Sequence, residues 1–370
     1  DWTNASNWSN GLPDVNMDVK IPNTSIKPVL NTAVIVSNIS IETSAKLTLN
    51  EQASLTIKEN LTNNGSLIIN SNVNNSGSLI VEGNSTGNIT YNRSVTANWH
   101  LVSSPVIGQT YNDLWISENS IISSSSNVNR KGLGVYNNSV GWQYFLSGES
   151  STFDQGKGFT ILRSTAGNLS FTGSISTISK NVTISEGSNN AFNLLGNIFT
   201  SYIPLNKDAD ASTNFLSVNA NALSEITVWL WNGNSYDAIN HATSSQFLVP
   251  GQAFFVSSKS GTNSVNFTKE MQNHQTANFL KSKETKSEIT LTIRSEKENR
   301  TTTIYYIDGT SIAFDNGFDS SLYTDNSSQF EIYTKLINEK DERKLAIQSL
   351  PKEYSNSIPI GVLLPANSIV

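Results

Sequence analysis

The string WHLVSSPV at residues 99–106 returns 93 residues later as FNLLGNIF at 192–199. VYN at 135–137 returns as LWN at 230–232, and Trp142 answers to Tyr236. GKGFTI at 156–161 matches GQAFFV at 251–256, and LSF at 169–171 matches VNF at 265–267, an offset of 96. Matches in one order at offsets of 93 to 96 mark a duplicated β-rich module over roughly residues 90–275. Each copy has an opening aromatic-led strand, a long Ser/Asn-rich loop, an aromatic pair around a turn, a Gly-aromatic strand and a closing strand. The turn is Asn137-Asn138 in the first copy and Asn232-Gly233 in the second. Alternation within the strands predicts a two-sheet, jelly-roll-like sandwich. The loops at 107–132 and 200–225 should each hold one helical turn, near residues 113–116 and 214–223.

Residues 31–95 have a different grain. Apolar residues alternate in very short runs: Val34 and Val36, Ile39 and Ile41, Leu47 and Leu49, Leu55 and Ile57. NNGSLIIN at 63–70 repeats as NSGSLIVE at 75–82. Strands of three or four residues cannot bury an apolar face alone. Stacked as rungs about 4.8 Å apart, they bury a continuous stripe and pair their backbones with the next rung. This predicts a short right-handed β-helix or β-roll, with an ordinary meander as the competitor. Asn at the joints is suited to left-handed turns and to ladders of its own side chains.

The ends differ again. In residues 1–30 the Asn-Gly-Leu-Pro turn at 10–13 and the strand ending at Pro22 suit a cap. Trp2 and Trp8 are expected to close one end of the coils; a sugar platform is the alternative. Eleven of the 24 Lys and Arg, and thirteen of the 30 Asp and Glu, fall after residue 280. KSKETKSE at 281–288 reads as a linker. Strands are expected at 289–293, 302–307, 329–333, 344–347 and 358–363, in a C-terminal β-sandwich that more chain would complete. The predicted fold is therefore all-β: a β-helix or β-roll, twin jelly-roll-like sandwiches and a third sandwich. The segments are 1–89, 90–183, 184–275 and 276–370. Asp1 is not an initiator Met, which suggests processing or a longer parent chain.

Composition narrows the chemistry. With no Cys, thiolate metal sites, thiol nucleophiles and disulfides are excluded. A net charge of −6 argues against a nucleic-acid partner. No apolar run is long enough to span a bilayer. His100, His241 and His274 lie far apart, and none has a Glu or His at ligand spacing. His100, inside an opening strand, reads as structural. No Gly-x-Ser-x-Gly elbow occurs, and the duplicated region is poor in Glu, which lowers the chance of paired catalytic carboxylates. The expectation is no enzyme in this chain. Asp208, Asp210, Ser212 and Asn214 alternate as oxygen donors, a pattern that can wrap calcium, but the central Gly and distal Glu of an EF-hand are missing. A solvated loop is the favoured reading there, and calcium is the one cofactor the pattern admits. Asp315, Asn316 and Asp319 make a second, similar turn. Trp142, Tyr144, Trp231 and Tyr236 flank the duplicated turns and are either core or a surface for stacking sugars or a partner. Core is favoured, because both copies keep an aromatic at each place.

Several strings resemble pieces of secreted Bacteroidota proteins that leave the cell through the type IX secretion system. They are the opening WTNASNWSNGLP, the NLTNNGSLIIN coils, WHLVSSPV, FNLLGN, VWLWNG and PGQAFFV, then AFDNGFDSSL at 313–322, LAIQSLP at 345–351 and IPIGV at 358–362. The likeness runs over nearly the whole chain. It implies a secreted or outer-surface location, a type IX outer-membrane translocon as partner during export, and a C-terminal sorting domain, which this sequence lacks. That group includes adhesins, gliding-motility surface proteins and enzymes with β-rich accessory domains. The resemblance sets location better than activity; the modular β architecture, the polar Asn/Ser/Thr surfaces and the lack of a catalytic motif point to a non-catalytic surface or adhesion protein, with a cell-surface glycan or protein as its expected partner. The alternative is a carbohydrate-binding accessory region of a larger secreted enzyme.

Overall fold

Three short strands per coil wind the first ninety residues into a solenoid. The computed structural model describes residues 2–275, 286–296, 298–324, 329–337 and 342–365. One solenoid face stacks β1 (Val19–Ile21), β4 (Ile39–Ile41), β7 (Leu61–Asn63) and β10 (Ser85–Thr86). The second stacks β2 (Val29–Leu30), β5 (Lys46–Leu49), β8 (Ser66–Asn70) and β11 (Ile89–Val95), and the third stacks β3 (Ala33–Val36), β6 (Ser54–Ile57) and β9 (Ser78–Val81). All these pairings are parallel, with stacked partners such as Val29 and Thr48, or Leu61 and Ser85, about one coil apart. The repeat at 63–70 and 75–82 therefore does not mark stacked rungs. Its strands, β8 and β9, lie on neighbouring faces of one coil and both turn Leu inward.

Two columns hold the second face together. Inside, Leu30, Leu49, Ile69 and Tyr91 stack in register, all fully buried. Each such burial stabilises by about 1.5–3 kcal/mol. One residue further along, the side chains point outward and form a ladder. Asn50 donates to Asn31 at 2.6 Å, Asn70 to Asn50 at 3.5 Å, and Asn92 to Asn70 at 2.9 Å. A second ladder runs from Asn38 to Asn60 to Asn84, with each Oδ1 accepting the next backbone N–H. The expected ladder role of Asn is found. The expected left-handed Asn is not: among described residues the non-glycine positive φ values belong to Ser44, Ser120 and Gln275. Side chains that pair across coils need the extended backbone that projects them outward. At the N-terminal end Trp2 is buried in the solenoid core, its ring 4.6 Å from that of Trp8, whose Nε1–H donates to Trp2 O.

β11 is at once the last rung of the second face and the first strand of the first module. It pairs in parallel with β8 and antiparallel with β18 (Gly167–Gly173). Between them come β12 (Trp99–Val102), β13 (Thr110–Tyr111), α1 (Asp113–Glu118), β14 (Arg130–Asn137), β15 (Gly141–Leu146), β16 (Ser151–Thr152) and β17 (Phe159–Leu162). The second module repeats the order: β19 (Lys180–Ser185), β20 (Phe192–Gly196), β21 (Ile203–Pro204), α2 (Phe215–Asn219), β22 (Val228–Trp231), β23 (Tyr236–Ile239), β24 (Phe247–Leu248), β25 (Ala253–Ser257) and β26 (Thr262–Phe267).

Numbering the eight strands of each copy from one to eight, strand one pairs with eight, two with seven, three with six and four with five. One sheet runs two-seven-four-five in both copies. Isolated bridges, Ile107 to Ser174 and Tyr202 to Asn273, join the chain just before strand three to the chain past strand eight. This nesting is a jelly roll, twice. The helices match as well. Asn112 and Asn214 cap them, and Asn119 and Asn219 tie them to the closing strand by accepting from Ser170 N–H and Asn266 N–H.

The copies meet around a local two-fold axis. Ser103 N–H donates to Gly251 O at 3.0 Å, and the equivalent Gly196 N–H donates to Gly156 O at 3.0 Å. Bridges Val102 to Gln252 and Lys157 to Leu195 are likewise a related pair. Such reciprocity is the mark of an isologous contact. Small residues make it possible: a Cβ at Gly196 would lie 2.1 Å from Ser103 Cβ, and one at Gly158 would lie 2.6 Å from Ala253 Cβ.

The anticipated boundaries shift accordingly. The solenoid and first jelly roll share β11 and one core from Trp2 to Ile175, and the second copy begins with β19 at Lys180. Linker positions 281–285 lie outside the described residues. Beyond them, β27 (Ser287–Arg294), β28 (Asn299–Tyr306), β29 (Ser320–Ser321), β30 (Glu331–Lys335), β31 (Lys344–Leu350) and β32 (Ile360–Leu363) make one mixed sheet. Tyr305 and Ile347 on one of its faces pack against Ala242, so the second jelly roll supplies the facing layer.

Candidate functional site

The histidines are spoken for. His100 Nε2 accepts from Thr96 N–H at 3.1 Å and lies 2.8 Å from its hydroxyl. His241 is buried, and its Nδ1 faces the N–H of Lys207 at 3.4 Å. His274 links the second jelly roll to the solenoid: its ring nitrogens lie 2.8 Å from Thr56 Oγ1 and 2.8 Å from Ser78 Oγ. Burial holds all three below the ordinary imidazole value, with the Arg93 charge adding to the effect at His100 and those of Lys207 and Lys286 at His241. His241 and His274 fall to about 4.

These shifts set a pH dependence. Between about pH 6.5 and 4 the unfolded chain binds protons on both rings while the folded chain does not, so stability falls as pH falls. Buried Asp319 opposes this. Its carboxyl is pushed up to about 7 by burial, so over the same window the folded state holds the extra proton. Three rings held low stand against two carboxyls held high, Asp319 and Asp237, and the melting temperature should drop from pH 7 to pH 4.5. His274→Gln, which keeps polar atoms facing Thr56 and Ser78, should flatten the drop; an unchanged profile would show that this ring does not set it.

The side chains of the candidate calcium loop are engaged in bonds within the protein. Asp208 pairs with Lys286 at 2.8 Å. Asp210 Oδ1 accepts from Ser212 N–H at 2.9 Å and Thr213 N–H at 2.7 Å, closing a turn on itself, and these bonds hold its pKa low against the burial that raises it. Asn214 Oδ1 caps α2 through Ser217 N–H. The sequence pattern was that of a turn running into a helix cap. Among the described residues no three His, Cys, Asp or Glu gather as a metal site. Asp315, Asn316 and Asp319 form a clasp instead. Asn316 accepts from Ile226 N–H and donates to Ser224 O, while Asp319 accepts from Ser349 and Asp315 N–H.

Of the four aromatics, Trp142, Trp231 and Tyr236 pack against one cluster that includes Phe255 and Trp229, and Tyr144 stands outside it. Tyr136 and Trp142 of the first copy pack on Phe255 of the second, at 4.9 and 6.2 Å between ring centroids. Tyr144 is held between Trp99, at 5.8 Å, and the Arg130 guanidinium, 4.4 Å from its ring. Trp231 and Tyr236, half-buried and 5.0 Å apart, line a groove of about 670 Å³ between the β22–β23 hairpin and the C-terminal sheet. Thr301, Thr303 and Tyr305 of β28 also line it. So does Arg300, whose guanidinium meets Glu298 at 2.7 Å and Glu331 at 3.3 Å. Asp237 stands on the hairpin wall. Burial raises its pKa, and a 2.8 Å hydrogen bond from Asn232 Nδ2 works against that rise.

A concave site of this volume, with aromatic faces and a few placed polar groups, is suited to holding a small or chain-like ligand. The duplication singled out Trp231 and Tyr236, with a core place as the favoured reading; both are half-buried on the wall of the groove. Sequence reasoning missed Asp237, Arg300, Glu298 and Glu331, because no local pattern links residue 300 to residue 237 and the third sheet has no counterpart in the first copy.

These features define a class: a solenoid joined to tandem jelly rolls, with one groove closed by an added sheet. The chain belongs to a family described as a domain of unknown function (DUF8693), whose model matches residues 1–369. No curated protein and no solved structure matches it.

Proposed function

We propose that this chain is a non-catalytic structural and adhesion protein, secreted or held at the outer cell surface and exported by the type IX secretion system. The observation that carries the reading is the unbroken scaffold. An apolar column and an Asn ladder run out of the solenoid into the first jelly roll, where Tyr91 pairs with Phe171 and Ser170 donates to Asn92 at 2.7 Å. Such continuity suits a part that bears and presents. The histidines and the acidic turns are committed to structural bonds, which supports a role without chemistry. Export rests on the sequence resemblance. Among the described residues no helix is long and apolar enough to cross a membrane. In a Bacteroidota host, disabling the type IX translocon should trap the protein inside the cell; undiminished display would remove the export half of the proposal.

A second reading, a carbohydrate-binding accessory region, is favoured by one feature: Trp231 and Tyr236 stand on the wall of the groove.

A further inference from the structure

We propose that the groove between the β22–β23 hairpin and the C-terminal sheet is the single glycan site of the chain, and that it takes a neutral or cationic oligosaccharide rather than a uronate. The inference rests on the carbohydrate-binding reading and adds to it stoichiometry and charge class.

Stoichiometry follows from the asymmetry of the copies. The duplication alone suggests two equivalent aromatic sites. In the first copy the turn end of the hairpin is covered by the segment entering the second: Asn190 Nδ2 donates to the Tyr136 hydroxyl at 2.8 Å, Asn138 Nδ2 to Ser185 O at 2.7 Å, and Ser188 N–H to Ser139 Oγ at 3.0 Å. The groove left further along it, lined by Tyr144, Tyr111 and Glu149, has no indole among the described residues. Trp142 is turned onto Phe255. In the second copy the matching hairpin packs on the C-terminal segment, with Tyr236 4.6 Å from Tyr323 between ring centroids, and a groove stays open beside that contact. Among the described residues, this groove brings an indole and a phenol together with carboxylates and threonine hydroxyls. A sugar ring presents an apolar C–H face and a rim of hydroxyls. The first can lie on an aromatic wall and the second can donate to carboxylates.

Charge class follows from the lining. The charged side chains are Asp237, Glu298, Glu331 and Arg300, three negative against one positive. Arg300 is already held by two of the carboxylates and has little left for a ligand anion. Were Asp237 protonated, the balance would still be negative. A uronate would give up water to enter a field of its own sign. A neutral hydroxyl donates to that field, and an ammonium is drawn to it.

The test is calorimetric titration of the full chain at pH 7 with cellohexaose, maltohexaose, N-acetylchitohexaose, chitosan hexamer and hexagalacturonate. At least one neutral or cationic oligomer should bind once per chain, with hexagalacturonate at least about tenfold weaker. Trp231→Ala should weaken binding by about tenfold or more. The near-isosteric Asp237→Asn should narrow the gap between chitosan and hexagalacturonate. Hexagalacturonate binding as tightly as the others would overturn the charge class and leave the glycan reading standing. Two ligands per chain, or loss of binding on Tyr144→Ala and not on Trp231→Ala, would overturn the single site. Silence from every oligomer would overturn both this inference and the reading beneath it.

Discussion

Gly196→Val should cost on the order of 3 kcal/mol or more, near the upper end of what overpacking does, and lower the denaturant midpoint accordingly. Gly196 does not need its backbone freedom, since its φ is not positive. It needs its missing side chain. An added Cβ would stand 2.1 Å from Ser103 Cβ and 3.0 Å from Lys157 O, where two sheets cross at their local two-fold axis. Neither obstacle is the far end of a flexible side chain, so the strands themselves must part. Ser103→Gly in the same background should restore part of the loss, because Ser103 supplies the nearer obstacle. A midpoint unmoved by Gly196→Val would mean that the copies do not pack through this contact.

Phe255→Ala should cost about 3–5 kcal/mol, the range for a buried Phe, and should also split the unfolding transition. The ring is fully buried and touches all three later units. Tyr136 and Trp142 of the first jelly roll, Tyr236 of the second and Tyr323 from the C-terminal segment lie 4.9 to 6.2 Å from it, centroid to centroid. Removing it should let the units melt apart, so tryptophan fluorescence and far-ultraviolet dichroism would no longer coincide. Phe267→Ala, in the inner core of the second jelly roll, should cost a similar amount while the two probes stay together. Coincident transitions in both variants would assign Phe255 to one unit alone.

The duplication was legible because it is local: like strands follow like loops at near-constant spacing, down to the short helices α1 and α2. The five strands expected after residue 288 are also present, as β27, β28, β30, β31 and β32. The nesting of strand one on strand eight was not legible, since it pairs residues such as Tyr91 and Phe171 that share no sequence neighbourhood. In the solenoid, alternation gave the inward residues correctly. The short repeat of Gly-Ser-Leu-Ile concealed the true coil, because faces of one coil obey the same chemistry as successive rungs. At the groove the duplication singled out the two aromatics, though as core, and the acidic floor left no trace in the sequence. Glu298 and Glu331 meet at Arg300 only because β28 and β30 flank β31.

The strings that carried the resemblance have distinct structural jobs. AFDNGFDSSL is the clasp onto the second jelly roll: Gly317 O accepts from His241 N–H, Phe318 O from Asn240, and Ser321 O from the indole of buried Trp229.

One consequence follows from β11, which belongs to two folds at once. A pull applied at the solenoid tip has no slack joint to straighten before it reaches the first jelly roll. The strand would have to slide against β8 and β18 together, breaking both rows of backbone bonds in shear rather than one at a time. The solenoid tip and the first jelly roll would therefore move as one lever under tension.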